Sequence, residues 1–260
     1  MKELLLFRSY ITGSVSRDFN LRYRGSVLGA ALVFLAPAFQ IALYVLVFGN
    51  LLQGRLPGNA SFYGYSVYLC AGILFWNLFF EIIQRSQNLY LENANLIKKA
   101  AFPLSALSVV NVVSCSINLG LSLLLFGLFL ALSLAWPGWG VWGLVPVWLA
   151  VAAVAVALGQ CLAILQVFFR DFTVLTPIAL QTCFWATPIV YPPEILPAWF
   201  MQWLPFNPLY APVATAQALA LNTPVPVLSS WLSTLVTLIL ALGLAHHLHR
   251  KLRPDLLDNL

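Results

Sequence analysis

Runs of about 20 apolar residues, nearly free of charge, recur along the chain, and that recurrence limits the fold more than any other feature. A run of this kind crosses the hydrocarbon of a bilayer only as a helix or as part of a closed barrel, because no water is there to satisfy backbone N–H and C=O groups. The short alternating strands that would write a barrel are not found in the sequence. Charged residues make up 8% of the 260 positions, against about 25% in a soluble domain. The fold class is therefore all-α and polytopic. Six transmembrane spans are expected at about 27–52, 64–84, 105–134, 141–168, 172–190 and 225–248, in a transmembrane domain covering 26–250.

The basic residues sort to one side of that arrangement. With the N-terminus inside, twelve of the thirteen Lys and Arg fall on inner segments, and only Arg55 falls outside. This asymmetry places both termini in the cytoplasm. A net charge of +5 carried at segment ends sets orientation and does not point to nucleic acid. No cleavable signal is expected, since Leu4–Phe7 is too short for an apolar signal core and Arg8 follows at once. Cys70, Cys115, Cys161 and Cys183 fall in separate apolar segments without C-x-x-C spacing, and are expected as small buried thiols.

Residues 1–25 are not a span. Phe7, Ile11, Val15, Phe19 and Tyr23 recur every four residues, punctuated by Arg8, Arg17, Arg22 and Arg24. A helix lying in the cytoplasmic interface fits that pattern. Pro37 sits near the middle of span one, where its ring displaces a backbone hydrogen bond. In span two, Glu81 precedes Arg85 by four residues, a spacing at which the two charges satisfy each other. The first half of span three is unusually polar: Ser108, Asn111, Ser114, Ser116 and Asn118 need partners on a neighbouring helix or in a wet cavity. Trp136-Pro137-Gly138-Trp139 reads as a turn at headgroup level. Residues 191–222 hold six prolines and are too apolar for a solvated loop. They are expected as re-entrant half-helices, with starts at Pro193-Glu194 and at Asn207, the latter as a cap before Pro208. After span six, His246, His247, His249, Arg250, Lys251 and Arg253 make a basic inner anchor, followed by a cytoplasmic tail at 251–260.

The longest polar interruption runs from Arg85 to Pro103. Glu92, Asn93, Asn95, Lys98 and Lys99 crowd its centre, with Pro103 as a stop. It is built for water or for a protein partner, and a membrane machine driven from outside needs one such place. The chain has no energy source of its own. It contains no G-x-x-x-x-G-K-[ST] to cradle nucleotide phosphates, and neither H-E-x-x-H nor G-x-S-x-G. The predicted outer face carries one acid, Glu194, too few for paired-carboxylate chemistry. The spans hold no ladder of charges for an ion-coupled relay. A multispan enzyme acting on lipid-linked sugars is the rival from another class, and it would need an essential acid or histidine among Glu81, Glu194 and the three histidines.

Arg22-Tyr23-Arg24-Gly25-Ser26-Val27-Leu28-Gly29 followed by Pro37, Asn95-Leu96-Ile97-Lys98-Lys99 with Phe102-Pro103, Phe169-Arg170-Asp171, Thr187-Pro188-Ile189 with Tyr191, and Asn207-Pro208 stand in the chain in that order. Together they resemble the membrane subunits of bacterial polysaccharide exporters of the type-2 ABC transporter family, nearest to the branch that exports O-antigen. The resemblance implies a transport subunit, not an enzyme, in the bacterial inner membrane. It would work as two copies with two separate ATPase subunits, which would bind the ATP and Mg; no cofactor or metal is expected in this chain. The cargo would be a lipid-linked glycan, with teichoic acid, capsule, lipid or drug exporters as neighbours of the same architecture. The loop 85–103 would be the coupling loop seated on the ATPase, through Glu92, Asn93, Asn95, Leu96, Lys98 and Lys99, joined by Arg170 and Asp171. Arg17, Arg22, Tyr23 and Arg24 would belong to the interface helix and the approach to span one. Phe184, Trp185, Tyr191, Trp199, Trp203 and Asn207 would line the pathway or its outer gate.

Overall fold

The computed structural model describes residues 8–23, 29–51, 56, 63–99 and 104–259. Helix α1 spans Arg8–Tyr23 and α2 spans Gly29–Tyr44, continued by a π-helical stretch Val45–Leu51. Helix α3 spans Gly64–Gln87 and leads into two short helices, α4 (Leu89–Glu92) and α5 (Ala94–Lys99). Helix α6 spans Leu104–Leu132, α7 spans Leu144–Phe168 after a 3-10 turn at Gly138–Gly143, and α8 spans Phe172–Ala186. One-turn α9 (Ala198–Met201) precedes α10 (Tyr210–Leu221), and α11 runs from Leu232 to Asn259. Among the described residues there is no β-strand.

Among the described residues, four helical stretches are long and apolar enough to cross a bilayer: Gly64–Gln87, Leu104–Leu132, Gly138–Phe168 and Leu228–Leu252. They match four of the expected spans closely. Two shorter apolar stretches, Phe34–Phe48 and Phe172–Ala186, fall where the first and fifth spans are expected. Helix α6, at 29 residues, is about 43 Å long and outreaches a hydrocarbon core of about 30 Å.

The molecule is organised around α3. Of its apolar window 83% is buried inside the protein, against 17% for the window in α11. Helices α6, α7 and α10 pack directly on it, α2 lies on α6, and α11 lies along α7. The α3–α7 crossing is close because Gly159 has no side chain: a Cβ there would sit 2.6 Å from both Cβ and Oγ of Ser86. Around this pillar Phe75, Leu69, Ile82, Ile83, Val147, Val151 and Val154 are fully buried.

Span five ends earlier than expected, and the reason is local. Pro188 disfavours the helical conformation at the residue before it. Thr187 is extended (φ −103°, ψ 129°) and α8 stops at Ala186. In the stretch 191–222, of the two expected half-helices only the second forms a helix of more than one turn, as α10. The stretch with prolines 192, 193, 197 and 205 folds instead as 3-10 turns at Pro193–Ile195 and Leu204–Phe206 with α9 between them. At the C-terminus the helix does not give way to a tail at 251; α11 continues to Asn259. Gly138 takes a left-handed φ of 63° in the expected turn, where only glycine is free of strain. Cys70, Cys115 and Cys161 are buried as expected, while Cys183 is exposed on α8.

Candidate functional site

At the end of the molecule where α3 leads out, α4 and α5 form a bent pair with two unlike faces. Asn93 makes the bend: its Nδ2 donates to Leu89 O at 2.8 Å, and its carbonyl accepts from Leu96 N and Ile97 N, each at 3.0 Å. Tyr90 and Ile97 point inward and are buried, with Leu89 and Leu96 partly covered beside them. They join Leu107 of α6, Ala163, Ile164 and Val167 of α7, and Leu256 of α11 in an apolar cluster separate from the main core. Glu92, Asn95 and Lys98 point outward and are exposed. The expected coupling residues therefore divide by role: Asn93 and Leu96 hold the pair together, and Glu92, Asn95 and Lys98 present its surface. Lys99 closes α5. Arg170 and Asp171, in the short turn between α7 and α8, are both exposed at this same end.

Two groups in the pair have displaced pKa values. Burial pushes the Tyr90 hydroxyl up to about 12, and the nearby Cys161 thiol adds to it, so Tyr90 stays neutral and serves as packing. The protein mass beneath Glu92 raises its pKa above the ordinary carboxylate value, and the charge of Asp18 raises it further.

Helix α1 is present where the interface helix is expected, but polar contacts help to fasten it. Its covered face combines Tyr10, Ile11 and Val15 with Ser14 and Asp18. Asp18 Oδ2 accepts from Arg85 Nη2 at 2.7 Å. Arg85 Nε also lies 3.5 Å from Glu81 Oε1, the pairing its spacing suggests. Glu81 Oε1 in turn accepts from Asn118 Nδ2 of α6 at 2.8 Å. A chain of charge and hydrogen bonds thus ties α1 to α3 and α6. Arg17 is exposed and donates to Ser14 Oγ at 3.0 Å. Arg22 and Tyr23 end α1, and Arg24 lies outside the described residues, as do Phe102 and Pro103.

Of the polar residues of α6, Asn111, Ser116 and Asn118 find partners on α3 and α7, while the buried Ser114 Oγ has none among the described residues. Asn111 Nδ2 donates to Ser86 Oγ (2.9 Å) and Ile82 O (3.2 Å), and Ser116 Oγ accepts from Trp148 Nε1 at 3.0 Å. Asn118 borders a cavity of about 260 Å³ between α2, α3 and α6, lined by Gln40, Asn77, Glu81 and Ser122 among apolar neighbours. Asn77 also borders a second cavity of about 180 Å³, shared with Tyr44, Trp76, Gln181 and Phe184. Sequence reasoning passed over Asn77, although a lone amide between Trp76 and Leu78 in a span is itself a signal.

At the other end, broken backbone is held by directional bonds. Tyr68 OH donates to Pro188 O (2.9 Å) and lies 3.0 Å from Tyr191 O, and Tyr65 OH donates to Val190 O. Gln217 Nε2 of α10 reaches Pro188 O (3.2 Å) and Ile189 O (3.3 Å). Gly72 makes room for that amide, since a Cβ there would lie 2.6 Å from Gln217 Nε2. Asn207 is not the expected cap of α10, whose N-cap is Leu209 without a side-chain bond; its Oδ1 instead accepts from Leu209 N at 2.9 Å in a local turn, and its Nδ2 donates to Thr187 Oγ1 (2.8 Å) and Ala186 O (3.2 Å). Ser233 and Thr234 of α11 donate to Asn207 O (3.2 Å) and Pro208 O (2.7 Å). Of the expected pathway residues, Trp185, Trp199 and Trp203 are exposed. Phe184 stacks edge-on between Trp76 and Trp185 at 5.4 Å from each, and Tyr191 OH donates to Trp185 O. Asn207 is committed to structure.

Residues 11–221 match the family described as ABC-2 type transporter. The O-antigen export system permease protein RfbA of Myxococcus xanthus is 30% identical over 195 residues, 74% of this chain and 72% of the relative. Two proteins of the same name from Klebsiella pneumoniae are 27% and 26% identical over 215 residues, 80% of this chain and 78% of each relative.

Proposed function

The chain belongs to the ABC-2 type transporter family, and on that premise we propose that it is the transmembrane subunit of an exporter for a lipid-linked polysaccharide of the O-antigen kind. The cargo leaves the cytoplasm across the bacterial inner membrane, and ATP with Mg bound to a separate ATPase subunit drives it. Relatives named as O-antigen export permeases support the cargo, over most of both chains. The working assembly is two copies of this chain with two ATPase subunits. In that assembly α2 and α8 act as the first and fifth of six spans, and both termini face the cytoplasm.

The observation that carries the reading is the two-faced α4–α5 pair. A polar surface helix with nothing to do need not be seated on its own apolar cluster. Here Tyr90 and Ile97 fix the pair to α6, α7 and α11, so a push on Glu92, Asn95 or Lys98 moves spans instead of bending a loop. At the far end, the exposed rings of Trp185, Trp199 and Trp203 offer flat apolar faces along which sugars slide without being held.

The test is co-expression with the ATPase encoded nearest to the gene. The expected result is a complex with equal amounts of the two chains that hydrolyses ATP and exports a lipid-linked glycan. Reversing both charges, Lys98→Glu with Lys99→Glu, is expected to weaken ATPase binding or uncouple hydrolysis from export while the membrane part stays folded. Undiminished export by that double variant would remove the coupling role from α5. A complex that hydrolyses ATP but releases another lipid or a drug would move the cargo and keep the transporter.

A further inference from the structure

Helix α11 is the least enclosed of the four long spans, yet both of its ends are fastened. At one end Ser233 Oγ and Thr234 Oγ1 hold the carbonyls of Asn207 and Pro208, the turn that starts α10. At the other, Leu248, Leu252 and Leu256 recur every four residues on one face and enter the apolar cluster that contains Tyr90 and Ile97. Leu256 is 1% exposed there, although it lies eight residues beyond the expected end of span six. Between the two ends, Cys161 Sγ of α7 lies 3.4 Å from Ala241 O. The opposite face near the inner end carries exposed His246, His247, Arg250 and Lys251, while Leu248, Leu252 and Leu256 turn toward the protein.

Helix α11 has 28 residues and is about 42 Å long; Pro254, between Leu252 and Leu256, leaves one of its axial hydrogen bonds unmade. Over residues 232–253 its backbone hydrogen bonds run along its axis, so that length transmits an axial displacement with little loss, and beyond Pro254 the packing of Leu256 ties the last turns to the cluster. We infer that α11 is a connecting rod: its cytoplasmic extension, through Leu256, takes up movement of the α4–α5 pair and delivers it through Thr234 to the Asn207–Pro208 turn. Leu256 and Thr234 are positioning residues, since neither is required to touch cargo or nucleotide. The inference rests on the transport reading above.

The experiment uses the complete complex and reads glycan exported per ATP hydrolysed, beside ATPase binding and thermal stability. Leu256→Ala is expected to bind the ATPase and hydrolyse ATP as before, while export per ATP falls roughly fivefold or more, the scale of a typical coupling between sites. Leu256→Met, which refills the pocket, is expected to restore the ratio. Thr234→Val, nearly isosteric at the far end of the rod, is expected to lower the ratio in the same way and keeps the question answerable if Leu256→Ala does not fold. An unchanged ratio in a folded variant at either end overturns the rod. So does loss of ATPase binding in Leu256→Ala, which would make the C-terminal extension part of the docking surface. A wild-type chain that forms no complex with an ATPase overturns the transport reading and this inference with it; a wild-type complex that exports, beside variants that export equally, overturns the inference alone.

Discussion

The two ends of the molecule are held by different forces. Around Thr187–Tyr191 and Asn207–Leu209 the chain has broken backbone in apolar surroundings, and Tyr65, Tyr68, Asn207 and Gln217 satisfy it one group at a time. Such bonds weaken steeply with misalignment, so this end has one geometry. The cluster of Tyr90, Ile97, Leu107, Ile164, Val167 and Leu256 around α4 and α5 is apolar contact. Hydrophobic attraction has no direction, so surfaces held by it can slide and repack. An end fixed by geometry and an end held by area suit a body that is pushed at one side and must keep its shape at the other.

Same-size substitutions at the two ends sharpen that contrast. Asn207→Leu keeps the volume and strands Leu209 N and Ala186 O, while Thr187 Oγ1 keeps its bond to Cys183 O. At about 1–3 kcal/mol for each buried group left unpaired, a loss of roughly 2 kcal/mol or more is expected, visible as a large drop in thermal midpoint in detergent. At the α4–α5 end Ile97→Leu also keeps the volume and removes no polar bond; the expected cost is under about 1.5 kcal/mol, measured in the same assay. Equal losses from the two would erase the distinction drawn here.

The smallest effect concerns Glu92. Its pKa is raised in the folded chain by burial and by Asp18. The folded state therefore keeps the proton to higher pH than the unfolded state, and stability falls as pH rises through the window between the ordinary carboxylate value and the raised one. Glu92→Gln is expected to remove that slope, with its whole benefit above the window and none below it. Solvent screening at this exposed side chain keeps the benefit under about 0.5 kcal/mol. A midpoint that tracks pH identically in both proteins would show that Glu92 carries no such penalty.

Hydropathy made the long spans legible, because in lipid a backbone has few choices. The expected spans at 64–84, 105–134 and 141–168 lie within a few residues of the helices found. What hydropathy does not encode is which surface a helix turns to protein. Leu252 and Leu256 read as a tail because nothing in their own neighbourhood announces Tyr90 and Ile97, well over a hundred residues earlier. Asp18 has no local mark that would pair it with Arg85, 67 positions away. Glu81–Arg85, by contrast, follows from helical spacing alone. The expected half-helix near Pro193 failed for a local reason: Pro192, Pro193 and Pro197 each lack a donor for helix propagation, and only single turns survive. At the candidate site, the polar residues of the α4–α5 pair were visible as an interruption in the apolar text. Their division into outward Glu92, Asn95 and Lys98 and structural Asn93 required the fold.

The enclosure of α3 has a consequence for the membranes in which this chain can work. A helix wrapped by its own protein on most sides takes little notice of bilayer thickness, whereas α11, and α8 with its 15 residues, meet their surroundings almost directly. Where the bilayer thickens or thins, the outer helices tilt to follow it at a cost of fractions of a kcal/mol per ångström. The central pillar, locked at Gly159 and Ser86, keeps its register. The fold thus joins a stiff axle to a compliant rim, and changes in lipid composition act on the rim first.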